Sequence, residues 1–157
     1  MRTETVERTL ITTIAALPHQ VGLKLGPTDW QQMTQERVNQ FADLTNDHNF
    51  IHVDPERAGQ TRFRGTVAHG FLTLSMLGSL SQQLVVVEDA ATSINYGLNK
   101  VRFPAPLPVG AAYRGHGEIA LVTPLDGGVQ VTALFTIEVK DLGKPVVAAE
   151  CLLRYYR

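Results

Sequence analysis

Cysteine is almost missing from this chain. Cys151 stands alone among 157 residues, so no intrachain disulfide can form, as suits a reducing compartment. Long apolar runs are missing too. The best stretch, Phe71 to Val87, is interrupted by Ser, Gln and Gly and is too short and too polar to cross a bilayer. The opening segment, Met1 to Ala16, begins with mixed charge and lacks the basic-then-apolar layout of a signal peptide. Charge of one sign is also lacking: 14 Lys and Arg against 15 Asp and Glu leave a net charge of -1, which offers nucleic acid or an anionic membrane no attracting field. The expectation is a soluble cytoplasmic protein with neither as a partner.

Several chemical signatures are absent. No Gly-rich loop follows a strand to cradle phosphates. Ser75, Ser79 and Ser81 lie in an apolar helical stretch without a Gly-x-Ser-x-Gly turn, and Cys151 sits in an alternating strand with no adjacent base. Covalent catalysis is therefore not expected.

What remains is an ordinary globular composition, 44% hydrophobic and 18% charged, at a length that suits one domain over residues 1–157. Val6, Leu10, Ile14 and Leu17 are spaced as on a helix stopped by Pro18, so residues 1–29 are read as an N-terminal helix and lead-in. A short strand is expected at Trp30 to Met33. Thr34 is a candidate N-cap for a helix carrying Val38, Phe41, Ala42 and Leu44 on its apolar stripe and ending at Thr45-Asn46-Asp47. Asp54 then Pro55 mark the start of another short helix. From Ala68 to Leu80 almost every face is apolar or small, which predicts a helix buried all round. After Ala91 the pattern is strand: Ser93 to Phe103, Ala111 to Val122, Val129 to Val139 and Val146 to Tyr156. Pro124-Leu125-Asp126-Gly127-Gly128 signals a hairpin. The sum is an α+β fold, an antiparallel sheet wrapped on one central helix. Such a sheet leaves an edge that a second copy can pair with, so a homodimer is expected.

The chemistry concentrates in Asp47-His48-Asn49-Phe50-Ile51-His52-Val53-Asp54-Pro55. A histidine can give or take a proton near neutral pH, and a nearby carboxylate can orient it or share a water. Asp47 and His52 are the candidate pair, with Asn49 fixing the loop or holding the water. The bland alternative is Asp47 in an Asx-turn and His52 in packing. A metal site is the other alternative, from His48 and His52 with Asp47 or Asp54. The zinc-protease pattern, however, needs Glu directly after the first His on a helix, and here Asn49 and a turn-like sequence stand there. No metal is expected. His69-Gly70 opens the buried helix, where backbone N–H groups lack partners, so Gly70 N–H is a candidate donor to a developing oxyanion; the alternative is a glycine needed only for close packing. Lys100, Arg102, Arg62 and Arg64 are candidate anion contacts, or ordinary surface charge.

Asp47-x-Asn49-x-x-His52 followed by Val67-Ala68-His69-Gly70 resembles the MaoC-like dehydratases, the (R)-specific enoyl-CoA hydratases of the hot-dog fold. The run Ile94-Asn95-Tyr96-Gly97-Leu98-Asn99-Lys100-Val101-Arg102-Phe103-Pro104-Ala105-Pro106 resembles the branch with mycobacterial-type enoyl-CoA hydratases and nodulation protein N relatives. The resemblance runs from about Trp30 to the C-terminus. It implies a hot-dog dimer in fatty acid metabolism with Asp47 and His52 as the catalytic pair, Asn49 in support and Gly70 as the helix-opening glycine. One departure is Phe50, where many members have Pro after the Asn. The implied activity is reversible syn hydration of a trans-2-enoyl thioester of CoA or acyl carrier protein to the (R)-3-hydroxyacyl thioester, CoA being substrate and no cofactor being needed. Phe50, Phe71, Tyr96, Lys100 and Arg102 are the candidate substrate contacts. A hot-dog acyl-CoA thioesterase and a non-catalytic acyl-thioester-binding relative of nodulation protein N are the alternatives.

Overall fold

In the computed structural model, residues 6–157 are described, Val6 by its backbone only. Three of the four long strands, β7 (Ala112–Leu125), β8 (Gly128–Val139) and β9 (Val147–Tyr156), follow one another as antiparallel neighbours. The strand β6 (Thr92–Arg102) pairs antiparallel with β9 at one end of the sheet. At the other end β7 carries the short strands β3 (Lys24–Leu25) and β4 (Gln31–Gln32), and β1 (Val6–Glu7) lies parallel on β3. The predicted hairpin is present, with Leu125 facing Gly128 across Asp126-Gly127.

Alternation in the sequence becomes a two-faced sheet. Val131, Ala133, Phe135 and Ile137 of β8, and Val147, Ala149, Cys151, Leu153 and Tyr155 of β9, are buried on one face. Against that face lie the helices α4 (Gly70–Ser75) and α5 (Leu77–Leu84). The helix approaches closely because β7 has glycines where it crosses. A Cβ on Gly115 would lie 3.2 Å from Leu80, and one on Gly117 would lie 2.8 Å from the Phe135 ring. Leu80 and Leu84 fill that space and are fully buried.

The central helix differs from expectation in two ways. It breaks at Met76, whose N–H is shared between the Leu72 and Thr73 carbonyls, while the Thr73 and Ser75 hydroxyls bond back to the His69 and Leu72 carbonyls. Side-chain bonds of this kind bend helices. Nor is it buried all round, since Phe71 is 75% exposed and Ser75 and Ser79 are open. The apolar face without a partner within one chain misled the pattern.

The N-terminal helix is not found. Its first residue, Thr5, lies outside the described residues; from Val6 onward the segment forms β1, then β2 (Leu10–Thr12), then a 3-10 turn at Leu17–Gln20. Leu10, Ile14 and Leu17 are buried as their spacing implied. What decides against helix is a partner far along the chain: β2 pairs parallel with β5 (Val85–Val87), and Asp89 accepts the Ile14 N–H at 2.7 Å. Local periodicity cannot register such a partner. The strand β5 was likewise not expected.

The helix α1 (Gln35–Thr45) starts where Thr34 Oγ1 accepts the Arg37 N–H and ends at Asn46 in the left-handed region. Val38 and Ala42 are buried, but Leu44, expected on the stripe, is 81% exposed. Overall the molecule is an α+β hot dog: an antiparallel sheet closing on one bent helix.

Candidate active site

The stretch read as a loop holds a one-turn helix, α2 (Phe50–Val53), followed by α3 (Pro55–Gly59). Asn49 caps α2, its Oδ1 facing the Ile51 N–H at 3.4 Å, and Asp54 caps α3 by accepting the Arg57 N–H at 3.0 Å. Capping by Asn49 is what brings His52 inward: it is 8% exposed, whereas Asp47 is in the open.

Backbone bonds join the two halves of the motif. Val67 N–H donates to the Ile51 carbonyl at 3.0 Å, and His52 Nδ1 lies 2.7 Å from the Val67 carbonyl. A carbonyl only accepts, so Nδ1 carries the proton and Nε2 keeps the lone pair. Burial lowers the His52 pKa below its ordinary value, opposed by the bond to Val67; His69 adds to the lowering and Asp47 opposes it. The imidazole is thus held as a free base with Nε2 available.

His69 stands beside it. Its ring stacks on His52 with centroids 3.8 Å apart, and its Nε2 lies 2.9 Å from the Asp47 carbonyl. Asp47, His52 and His69 each present one donor atom, all within 4.8 Å of one another. A cation could be offered one oxygen and two nitrogens here. The two rings lie only 26° from parallel, however, so their in-plane lone pairs run side by side instead of converging as metal ligands must. The set is better suited to holding a water or a proton.

Gly70 follows directly at the first position of α4, where the N–H has no partner within the helix. The Phe103 ring faces it, so that a Cβ there would lie 3.4 Å from the ring. Gly70, His52 and Asp47 therefore stand around one corner of the molecule, with His69 the residue that joins them.

The other candidates are more scattered. Phe50 is half-buried with the Arg57 guanidinium 3.9 Å over its ring, and Phe71 is exposed beside Gly70. Lys100 and Arg102 lie on the end of β6 that leads to Phe103, Arg102 donating to the Val101 carbonyl at 2.7 Å and Lys100 facing Glu150 across the ladder. Tyr96, under the Arg154 guanidinium at 3.2 Å, is seven residues from Phe103 along the strand, roughly 20 Å, so one chain does not bring it to the pair. His48 bonds Asp43 at 2.8 Å on the surface, and Asp54 serves as a helix cap.

Two residues carry more than the sequence suggested. Gln35, at the start of α1, donates to the His52 carbonyl at 2.7 Å and accepts from the Thr66 hydroxyl at 2.6 Å, tying α1 to both motif halves. Nothing in its sequence context signals this. His69 was visible beside Gly70, but its contact to Asp47 spans 22 residues and has no local mark.

Between α4, α5 and the β6–β9 half of the sheet runs an apolar cavity of about 340 Å³, lined among others by Leu74, Gly78, Leu98 and Cys151. Burial pushes the Cys151 thiol up to about 11, so it is a packing group and not a nucleophile.

Comparison with known proteins agrees with this architecture. Residues 17–138 match the MaoC like domain family. The chain is 49% identical over 143 residues to 3-hydroxyacyl-thioester dehydratase Z of Mycobacterium tuberculosis, covering 90% of this chain and 95% of that protein. It is 36% identical over 139 residues to Nodulation protein N of Rhizobium leguminosarum bv. viciae, covering 87% and 86%. Among solved structures, the R-hydratase PhaJ1 of Pseudomonas aeruginosa superposes with a TM-score of 0.72 at 22% identity, covering 87% of this chain and 82% of that one.

Proposed function

The chain belongs to the MaoC-like domain family, and we propose that it is an (R)-specific enoyl-thioester hydratase working through Asp47 and His52. The observation that carries this reading is the Asp47 carboxylate set beside a buried His52 whose Nε2 has no hydrogen-bond partner among the described residues, next to the start of α4. A relative named as a 3-hydroxyacyl-thioester dehydratase at 49% identity supports the reaction class.

In the reaction, Asp47 and His52 Nε2 hold one water between them. The water oxygen attacks C3 of the trans-2-enoyl thioester as its proton passes to Nε2. Electron density shifts to the thioester oxygen, and Nε2 then returns the proton to C2 on the same face. Water is thereby added across the double bond with no other reactant. Gly70 N–H donates to the thioester oxygen, and one such donor contributes about 3–4 kcal/mol in the transition state. The Nδ1–H bond to Val67 keeps the imidazole aimed through the transfer.

The acyl chain occupies the apolar cavity behind α4, while Lys100 and Arg102 on the open end of β6 meet the phosphates of CoA or of an acyl carrier protein. Among the described residues the strand β6 pairs only with β9, and it exposes Ile94, Tyr96 and Leu98, so a second copy closes that edge and the protein is a homodimer. Light scattering at micromolar concentration checks the mass; a monomer contradicts it.

A chain-length series of trans-2-enoyl-CoA substrates with chiral analysis of the product tests the activity. An (R)-3-hydroxyacyl product is expected, and an (S)-product contradicts the assignment. Release of free thiol from acyl-CoA without loss of enoyl absorbance would identify a thioesterase instead.

A further inference from the structure

We propose that His69 is a positioning residue of this site, holding the Asp47 backbone through its Nε2–H and the His52 ring through stacking. The inference rests on the hydratase reading above and adds a residue to it.

His69 is 3% exposed, between two rings. Phe41 of α1 lies on one side with centroids 5.0 Å apart, and His52 on the other at 3.8 Å. Its main chain is fixed too, since its carbonyl accepts both the N–H and the hydroxyl of Thr73 at 3.0 Å. Because the Asp47 carbonyl can only accept, the bond at 2.9 Å places the His69 proton on Nε2. That leaves Nδ1 as a bare acceptor, buried and without a partner among the described residues. An unpartnered buried nitrogen costs stability, and an apolar side chain would fill the same space without that cost. The other end of the ring accounts for a histidine here. Asp47 follows the left-handed Asn46 at the end of α1 and is exposed, so its carboxylate is placed by the backbone that His69 holds.

Stacking acts on the second member of the pair. Two rings this close resist carrying two positive charges, so His69 disfavours a proton on His52. The groups that face His52 are Asp47 before α2, His69 before α4 and, from α1, the neutral Gln35 amide. From α3, Arg57 turns away onto Phe50, while Asp43 and His48 pair with each other at the surface. His69 is thus the neighbour that opposes protonation of His52, and its removal raises the His52 pKa.

Two substitutions separate the roles. His69→Phe keeps a stacking ring and removes the donor to Asp47. On crotonyl-CoA its kcat falls about 10- to 100-fold with KM nearly unchanged, as misplacing a reacting group by about 1 Å can cost about 100-fold. His69→Gln keeps a donor near Nε2 and removes the ring. It retains more of kcat, and the acid limb of its kcat/KM profile moves to higher pH. NMR titration of the His52 imidazole in the same protein reads the same upward shift without any turnover. Folded variants of both kinds with parental kcat and parental His52 titration overturn the inference, as does a loss confined to KM. A parent inactive on every enoyl thioester counts against the hydratase reading alone, because the titration still reports whether His69 bears on His52.

Discussion

His52 Nδ1 lies 2.7 Å from the carbonyl oxygen of Val67, a residue whose own N–H bonds back to Ile51. That reciprocal tie determines which nitrogen of His52 can take a proton. It also means that turning the imidazole breaks its bond to Val67, while the backbone bond from Val67 to Ile51 keeps the two halves of the motif joined. Asp47→Asn removes the carboxylate and His52→Ala the base, each leaving most of the packing in place. Acid/base groups contribute about 100- to 10,000-fold each. Each variant should therefore lose at least about 100-fold in kcat for crotonyl-CoA hydration with little change in its melting temperature. Near-parental rates in both would remove the pair from the mechanism.

The pH response follows from burial. With its folded-state pKa below the ordinary 6.5, His52 is neutral at pH 7, and the acid limb of kcat/KM should fall below pH 6.5. The sign for stability is the same. The unfolded chain binds the proton more readily, so the contribution of the neutral His52 is present above pH 6.5 and is lost as pH falls through the lower folded value. A limb above pH 6.5 in an initial-rate profile contradicts the placement.

Gly78 lines the apolar cavity from α5, and a Cβ built on it meets nothing within 4 Å. Leu at this position fills that space and improves helix propensity by up to about 1 kcal/mol. Gly78→Leu should keep or raise the melting temperature and hydrate crotonyl-CoA at parental rates. Activity on octenoyl-CoA should drop by about 10-fold or more, since one lost methylene contact discriminates by about 1–3 kcal/mol. Equal loss on both substrates would place the acyl chain elsewhere.

Cys151 offers a probe of the same cavity. Its thiol is 6% exposed and pushed up to about 11, so thiol-disulfide reagents at neutral pH should label it slowly in the folded protein and rapidly in denaturant. Saturating long-chain acyl-CoA should slow labelling further. Fast labelling of the folded protein goes against a closed cavity wall.

A Cβ on Gly128 would meet the Tyr155 carbonyl oxygen at 2.1 Å, a backbone atom that cannot rotate aside. Gly128→Ala should destabilise the protein by about 1–3 kcal/mol through a shift of β8 against β9. Chemical denaturation measures it, and a parental midpoint would show that the hairpin relaxes freely.

Where each interaction spans few residues, the sequence was a sound guide. Thr34, Asn46 and Asp54 were identifiable as helix boundaries because a cap bonds within four residues of itself. The alternation of Val131, Ala133, Phe135 and Ile137 forecast a strand face for the same reason. The nearness of the Asp47 and His52 side chains was legible because they are only five residues apart in the chain. Failures came where the partner is remote. Leu10, Ile14 and Leu17 are buried as a helical face would be, yet it is Val85–Val87 that makes their segment extended. His69 and Gln35 act through bonds across 22 and 17 residues, which no local pattern encodes.

The short strands at the start of the described chain have a bearing on synthesis. Leu10 pairs with Val85, and Lys24, besides lying against Val6, pairs with Glu118, so β2 has no strand to bond and β3 cannot join the main sheet until most of these residues have left the ribosome. A segment made before its partners is thus among the last to find its place. Until then its apolar residues Leu10, Ile14 and Leu17 stay uncovered in the nascent chain, within reach of whatever chaperone attends the exit tunnel.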